Sequence, residues 1–254
     1  MGSKTKRGYA IPEDKNPYGL SAEYIFPYNQ AATLVTVAEK VHNAAVRTQV
    51  DLIRKMLGNP DDVSTLLSAW QKAAANLTQA TDGNDDGNGL MTARASINAR
   101  WNGTSKDAAV EYLDNLITVT PEQRAIIQNI ASEINQFSAL VTQNYATAIV
   151  HITNYAAIVA ELAGGLLEEI REVLTLDGGS VETAILRALG EFMTETGKLL
   201  ESVITYKNNL SGTMGNIITE AAGIAVPAAL APDATIIGGW QPRNPTGTPW
   251  GTDS

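Results

Sequence analysis

Apolar residues recur along the chain with helical spacing, separated by short polar breaks. From Asn29 they fall every three or four positions, as on one face of an α-helix. These positions are Leu34, Val37, Val41, Ala45, Thr48, Leu52 and Met56. Gly58-Asn59-Pro60 predicts the end of this helix, because glycine is flexible and proline cannot continue the ladder. Asp61 or Asp62 is then expected to cap a second helix. Its apolar positions are Val63, Leu66, Leu67, Trp70, Ala74 and Leu77.

The longest periodic stretch lies in the second half of the chain. Ser105 to Leu116 is amphipathic, and Thr120 followed by Pro121 predicts the start of another helix. From Ile126 to Val173 apolar residues recur at a mean step of about 3.6 residues, which predicts one long helix. Asp177-Gly178-Gly179 predicts a break, and Ser180 is expected to cap an antiparallel return helix. Its predicted buried positions are Val181, Ile185, Leu189, Phe192, Thr196, Leu199 and Val203.

The two ends of the chain differ from this helical pattern. Residues 1–28 combine prolines with tyrosines and predict an extended arm whose rings dock on another surface. Residues 211–254 are rich in Gly and Pro and are expected to be partly irregular. Apolar residues make up 44% of the chain and aromatic residues only 6%, which favours helices packed through small side chains. We therefore predict an all-α fold, an elongated antiparallel helical bundle over residues 29–210, built from long helical hairpins between irregular arms.

Charge and residue types exclude several classes of function. A net charge of −9 provides no basic excess for binding nucleic acid. The chain has no cysteine, which rules out disulfides, thiolate zinc sites and cysteine nucleophiles. His42 and His151 lie in predicted helices without a ligand partner at i+3 or i+4, and no phosphate-binding loop or nucleophile elbow occurs. We expect a protein without a cofactor and without enzymatic activity.

One polar loop imitates a calcium site. Asp82, Asn84 and Asp86, followed by Gly87, match the start of a helix-loop-helix calcium loop. The twelfth position of that loop requires a bidentate glutamate, and here it is Ala93. These three residues are therefore a weak calcium candidate, and a solvated loop is the favoured interpretation.

Trp101-Asn102-Gly103 separates two helical stretches, and DAAVEYLDNL follows it. Glycine permits a sharp reversal and tryptophan fills the space where two helices meet, so we expect a helical hairpin. Thr104 or Ser105 is expected to cap the second helix. This arrangement resembles the Trp-x-Gly superfamily of type VII (ESX) secretion substrates, and the long helices beyond it resemble those of the larger PPE-like and EspB-like members.

The resemblance implies a non-enzymatic protein that is secreted or held at the cell surface without a general secretory signal peptide. It implies that Trp101, Gly103 and Tyr112 serve export or partner recognition. The implied partners are a helical protein or further copies of the chain, together with a secretion ATPase or chaperone. Family members carry Tyr-x-x-x-Asp/Glu near a helix end, and the one match is Tyr9 to Glu13, where Pro12 disfavours a helix. The export signal is then expected from a partner chain or from a divergent machinery.

Two other classes of function are compatible with the sequence. A structural assembly subunit, as in a phage or sheath, would use its two terminal arms to reach neighbouring subunits. A membrane-active or pore-forming protein would also contain a long helical hairpin, with the Gly- and Ala-rich segment Gly212 to Gly239 facing the membrane.

Overall fold

The computed structural model describes residues 9–83, 87–164, 179–225 and 227. These residues form helices and connections without a β-strand, so the predicted all-α class is confirmed. A short 3₁₀ helix, Ala22–Tyr24, precedes six α-helices. They are α1 (Tyr28–Lys40), α2 (Ala45–Met56), α3 (Pro60–Asp82), α4 (Leu90–Arg100), α5 (Thr104–Leu162) and α6 (Ser180–Gly223).

The chain divides into two compact units. The first combines the described parts of Met1–Ser64 and Asn135–Leu210, and the second those of Thr65–Ile134 and Ser211–Ser254. The first unit therefore holds α1, α2, the C-terminal part of α5 and the N-terminal part of α6. The large hydrophobic cluster lies in this unit. Its largest fully buried side chains include Leu34, Ile53, Ile152, Ile185, Leu189 and Phe192.

In the first unit α5 and α6 run antiparallel. Phe137 stacks on Tyr206 near one end, and Tyr155 meets Phe192 edge to face near the other. Between them the Asn144 amide donates a hydrogen bond of 2.7 Å to the Ser202 hydroxyl. Residue numbers rise on one helix as they fall on the other, as in the predicted hairpin.

A buried polar contact joins α2 to α6. The Gln49 amide nitrogen donates to the Thr196 hydroxyl at 3.1 Å, and this hydroxyl donates to the Phe192 carbonyl at 2.7 Å. Thr196 is completely buried and Gln49 is 9% exposed. Because both groups are removed from water, the Gln49 amide depends on the Thr196 hydroxyl as its acceptor, whereas the hydroxyl proton is taken up by the Phe192 carbonyl.

The second unit buries fewer of its described residues. α3, the N-terminal part of α5 and the C-terminal part of α6 contribute small or isolated buried positions, among them Ala74, Ala109, Ile126, Ala131 and Ile217. Leu66, Met91 and Ile218 are 48%, 48% and 69% exposed. Leu66, one of the apolar positions of the predicted second helix, is therefore not buried.

The single helix predicted from Asn29 to Met56 is in fact two helices. α1 ends in a Schellman motif, in which the Asn43 amide donates to the Ala38 carbonyl at 2.8 Å and the His42 amide to the Glu39 carbonyl at 3.3 Å. His42 takes a φ of 59° to close this motif. The break shifts the buried face of α2 to Val46, Gln49, Val50 and Ile53. The predicted inward positions Ala45, Thr48 and Leu52 are exposed.

The two helices predicted on either side of Thr120 form one helix of 59 residues, α5. Thr120 is buried inside it rather than capping a new helix, and its hydroxyl donates to the Leu116 carbonyl at 2.7 Å. Pro121 removes one donor from the ladder but the helix continues through it. α5 ends near Gly164, which has a φ of 69°. Residues 165–178, into which the predicted long helix extends, lie outside the described residues.

Other predicted helix ends also shift by a few residues. Asn59 rather than Asp61 or Asp62 caps α3, because its side-chain oxygen accepts a hydrogen bond of 3.1 Å from the Asp61 amide. α6 includes Ser180 as its first residue, and the Gly179 carbonyl accepts the first-turn bond from Thr183. The predicted buried face of α6 is confirmed at its centre, where Ile185, Leu189, Phe192 and Thr196 are completely buried. The outer positions Val181, Leu199 and Val203 are only partly buried.

The described part of the N-terminal arm packs on the first unit. Tyr9 and Phe26 join its hydrophobic cluster at 8% and 5% exposure. The Tyr9 hydroxyl donates to Asp51 at 3.3 Å, and the guanidinium groups of Arg47 and Arg54 lie 6.0 Å from its ring centre. Burial raises the pKa of Tyr9 above its ordinary value. Tyr9 to Glu13 lie outside any helix, as expected from Pro12.

Candidate functional site

The candidate site is the connection between α4 and α5. Trp101 follows the last residue of α4, and its backbone amide donates to the Ile97 carbonyl at 2.9 Å. Gly103 directly precedes α5, so neither Thr104 nor Ser105 is the cap that the sequence predicted. The Gly103 carbonyl accepts hydrogen bonds from the amides of Lys106 and Asp107. The three residues therefore form the complete connection of a helical hairpin, as predicted.

Gly103 is required here for its backbone angles. Its φ is 77°, in the left-handed region that favours glycine. A β-carbon added at this position would meet no heavy atom within 4 Å. The turn therefore needs glycine because of conformation and not because of close packing.

Trp101 and Tyr112 are both half-buried, whereas Asn102 and Gly103 are exposed. Trp101 and Gly103 share the connection, and Tyr112 lies about two turns further along α5. A half-buried indole is a large apolar side chain that keeps some exposed surface, and such side chains are common anchors of protein interfaces.

An ion pair that the sequence analysis did not identify closes the hairpin. Arg94 on α4 and Asp114 on α5 form a bidentate contact, through the Arg94 Nε and Asp114 Oδ1 atoms and through Nη2 and Oδ2 at 3.0 Å. The hydrogen bond from Arg94, more than its charge, holds the pKa of Asp114 below its usual value. The sequence does show opposite charges on the two predicted helices. Which of these charges form a pair depends on how the two helices pack, and the sequence pattern does not show this.

Of the three residues of the calcium candidate, only Asp82 lies among the described residues. Asp82 is the last residue of α3, and Thr81 directly before it is buried. The Thr81 hydroxyl donates to the Leu77 carbonyl at 3.0 Å, which fits it into the final turn. Asn84 and Asp86 lie outside the described residues. Among the described residues no group of three or more His, Asp or Glu side chains is placed to hold a metal ion.

The two histidines have different surroundings. His42 is exposed in the turn between α1 and α2. The His151 Nε2 atom on α5 lies 3.7 Å from a carboxylate oxygen of Glu195 on α6. Glu195 lies on another helix, so positions i+3 and i+4 of the helix that holds His151 could not predict this acidic neighbour.

No helix of the described ranges combines the length and the apolar character needed to cross a bilayer. Comparison with protein-family models, with curated proteins and with solved structures found no match.

Proposed function

We propose that the protein is a non-enzymatic substrate of a type VII (ESX-like) secretion system and acts through helical packing with a partner or with itself. The observation that carries the proposal is the Trp101-Asn102-Gly103 hairpin connection, with Gly103 at a positive φ and Trp101 half-buried. A secretion ATPase or chaperone would recognise this tip of the hairpin, with Tyr112 on the adjoining helix. The protein is then secreted or displayed at the cell surface.

Two observations support this proposal over the alternatives. The described part of the N-terminal arm packs into the hydrophobic cluster of its own chain, which leaves Tyr9 and Phe26 unavailable for a neighbouring subunit. That packing weighs against an assembly subunit joined by this arm. In the segment proposed to face the membrane, the described residues are 212–225 and 227, and Ile218 is the one strongly exposed large apolar side chain among them. A single such side chain weighs against a membrane-facing segment.

Export in a host with an ESX-like system tests the proposal. Trp101→Ala should lower the amount of protein in the culture medium about tenfold while the cellular amount and the helical circular dichroism stay unchanged. Gly103→Ala should act in the same direction, because alanine resists a φ of 77° and distorts the connection. Trp70→Ala is the matched control, since Trp70 is also half-buried on a helix of the same unit.

Equal export of the Trp101 and Trp70 variants would refute the role of the tip. Loss of helicity in Trp101→Ala would instead make Trp101 an ordinary packing residue. Export that is absent for the wild-type chain, even with the host's partner proteins present, would count against the secretion assignment as a whole.

A further inference from the structure

The C-terminal part of α5 contains a long segment without charged residues. From Ile134 to Ala160 the sequence has no Asp, Glu, Lys or Arg, although charged residues make up 18% of the chain. The helix is not buried on all sides over this length. Gln143, Thr147, Val150, Asn154 and Ala157 are all exposed, and Val150 is 55% exposed. We call these five residues the neutral stripe.

The neighbouring helix of the same unit behaves differently. α6 carries a charged residue on nearly every exposed turn: Glu182, Arg187, Glu191, Glu195, Lys198 and Glu201. An ordinary solvated helix face is charged in this way, because charged side chains keep it soluble. The lack of charge from Ile134 to Ala160 is therefore a property of this part of α5 and not of the whole unit.

The neutral stripe has the spacing of a helix-packing seam. Its members are separated by four, three, four and three residues, which is the 3.5-residue repeat that keeps one face against a partner helix. The stripe is also symmetric about Val150, since Thr147 and Asn154, and Gln143 and Ala157, lie at nearly equal distances on either side. An identical helix running antiparallel would place Val150 opposite its own copy.

A groove beside the stripe widens the surface. Asn29, Gln30 and Thr33 of α1 face Thr153, Ala157 and Ala160 of α5 across a groove of about 370 Å³. None of the described residues that line this groove is charged. The small residues of α5 permit another helix to approach closely along this side.

We propose that the neutral stripe is a homodimer interface, where α5 helices of two copies cross antiparallel about a twofold axis at Val150. The chemistry of the stripe favours a second copy as the partner. A chain of net charge −9 repels its own copies at most surfaces, but not through a face without charge. Across this axis Thr147 of one copy lies near Asn154 of the other, and hydroxyl and amide groups both donate and accept hydrogen bonds, so these positions complement each other.

A lipid surface fits the stripe less well. The amides of Gln143 and Asn154 would lose their water without gaining partners in hydrocarbon. The stripe also offers no lysine or arginine to attract anionic lipid headgroups.

The size of the face predicts a weak, reversible dimer. A strip as long as residues 135–160 and one helix wide covers about 400 Å², and the adjoining α1 face raises this to about 600 Å² per copy. Two such faces reach about 1,200 Å², the lower end of the range for specific interfaces. We expect a dissociation constant of about 10 µM.

Sedimentation velocity of the full chain from about 1 to 200 µM tests the proposal, because this range brackets the expected dissociation constant of about 10 µM. Val150→Glu should raise the dissociation constant at least tenfold, because two carboxylates would face each other across the axis. Ile204→Glu is the matched control: Ile204 lies on α6 in the same unit and is 57% exposed, compared with 55% for Val150. It should leave the dimer unchanged. Mixing Val150→Glu with Val150→Lys should restore a dimer.

Cysteine substitutions locate the axis, because the chain has no cysteine of its own. Val150→Cys should form a disulfide-linked dimer at least tenfold faster than Ile204→Cys under mild oxidation. Any of four results would overturn the proposal. The wild-type chain could stay monomeric at 200 µM, or the two glutamate variants could have equal effects. The two cysteine variants could cross-link at equal rates, or the chain could bind vesicles as a monomer in a way that Val150→Glu abolishes.

The proposed function includes helical packing of the chain with itself, and the proposed interface identifies the surface for that packing. The interface rests on the proposed function only in giving this self-packing its biological role. The two proposals fail separately. A monomer whose export depends on Trp101 would refute the interface alone, whereas a dimer that depends on Val150 but is not exported would refute the secretion assignment alone.

Discussion

At the scale of single residues, His42 decides where the first helix ends. A histidine in the left-handed region is strained, because its β-carbon approaches the backbone there. Neither glycine nor proline marks this break, so apolar spacing ran through it and assigned the wrong face to α2. Where glycine does mark a turn, as at Gly103, the sequence was sufficient to locate it.

The strain at His42 leads to a prediction. His42→Gly should increase the free energy of unfolding by about 0.5–1 kcal/mol, since glycine adopts this φ without strain and the gain exceeds its larger freedom in the unfolded chain. Urea denaturation followed by circular dichroism would measure the change. His42→Ala is the control, because it retains a β-carbon and should give no gain. A destabilised His42→Gly chain would mean that the imidazole makes a stabilising contact.

At the scale of elements, the packing of α2 on α6 includes one buried polar contact within an apolar core. Thr196 was correctly predicted to face inward on α6, but its partner was not. Gln49 faces inward only because the turn at His42 rotates α2 relative to the predicted register. Apolar periodicity therefore identified Thr196 as a buried position but could not identify its partner Gln49.

Removing the acceptor of this contact should be costly. Thr196→Val is predicted to lower the free energy of unfolding by about 1–3 kcal/mol, because the buried Gln49 amide loses its partner while the side-chain shape is retained. Thr194→Val is the matched control: its exposed hydroxyl donates to the Gly190 carbonyl at 2.9 Å on the same helix. Chemical denaturation of both variants measures the difference. Equal small losses would show that water or another group satisfies Gln49.

At the scale of the whole molecule, the two units differ in how much apolar surface they bury. The hydrophobic cluster belongs to the first unit, and the second contributes fewer, mostly small, buried residues among those described. Local opening costs less where fewer apolar contacts must be broken. α5 passes through both units, so its two parts can be compared within one helix.

Native-state hydrogen exchange should therefore divide α5. We predict that amides of residues 141–159 exchange at least tenfold more slowly than amides of residues 109–131. Hydrogen exchange of the full chain, measured by mass spectrometry, tests this prediction. In α6 we likewise expect slow amide exchange at residues 185–199 and fast amide exchange at residues 212–222. Uniform protection along α5 would show that the second unit is held as firmly as the first.

Much of the architecture followed from the sequence by itself. Helical spacing of apolar residues established the all-α class and the inward face of α6, and Trp101-Asn102-Gly103 established the hairpin connection, because these features depend on residues close in the chain. Only the tertiary structure decided the break at His42, the continuity of α5 through Pro121 and the pairing of Arg94 with Asp114. In each of these three cases a local conformational preference competes with packing or pairing between residues that are distant in sequence. Local sequence patterns do not show which of the two is stronger. The absence of charged residues from Ile134 to Ala160 of α5 was visible in the sequence, but only the packing of α1 and α6 shows which face of this part of the helix remains open.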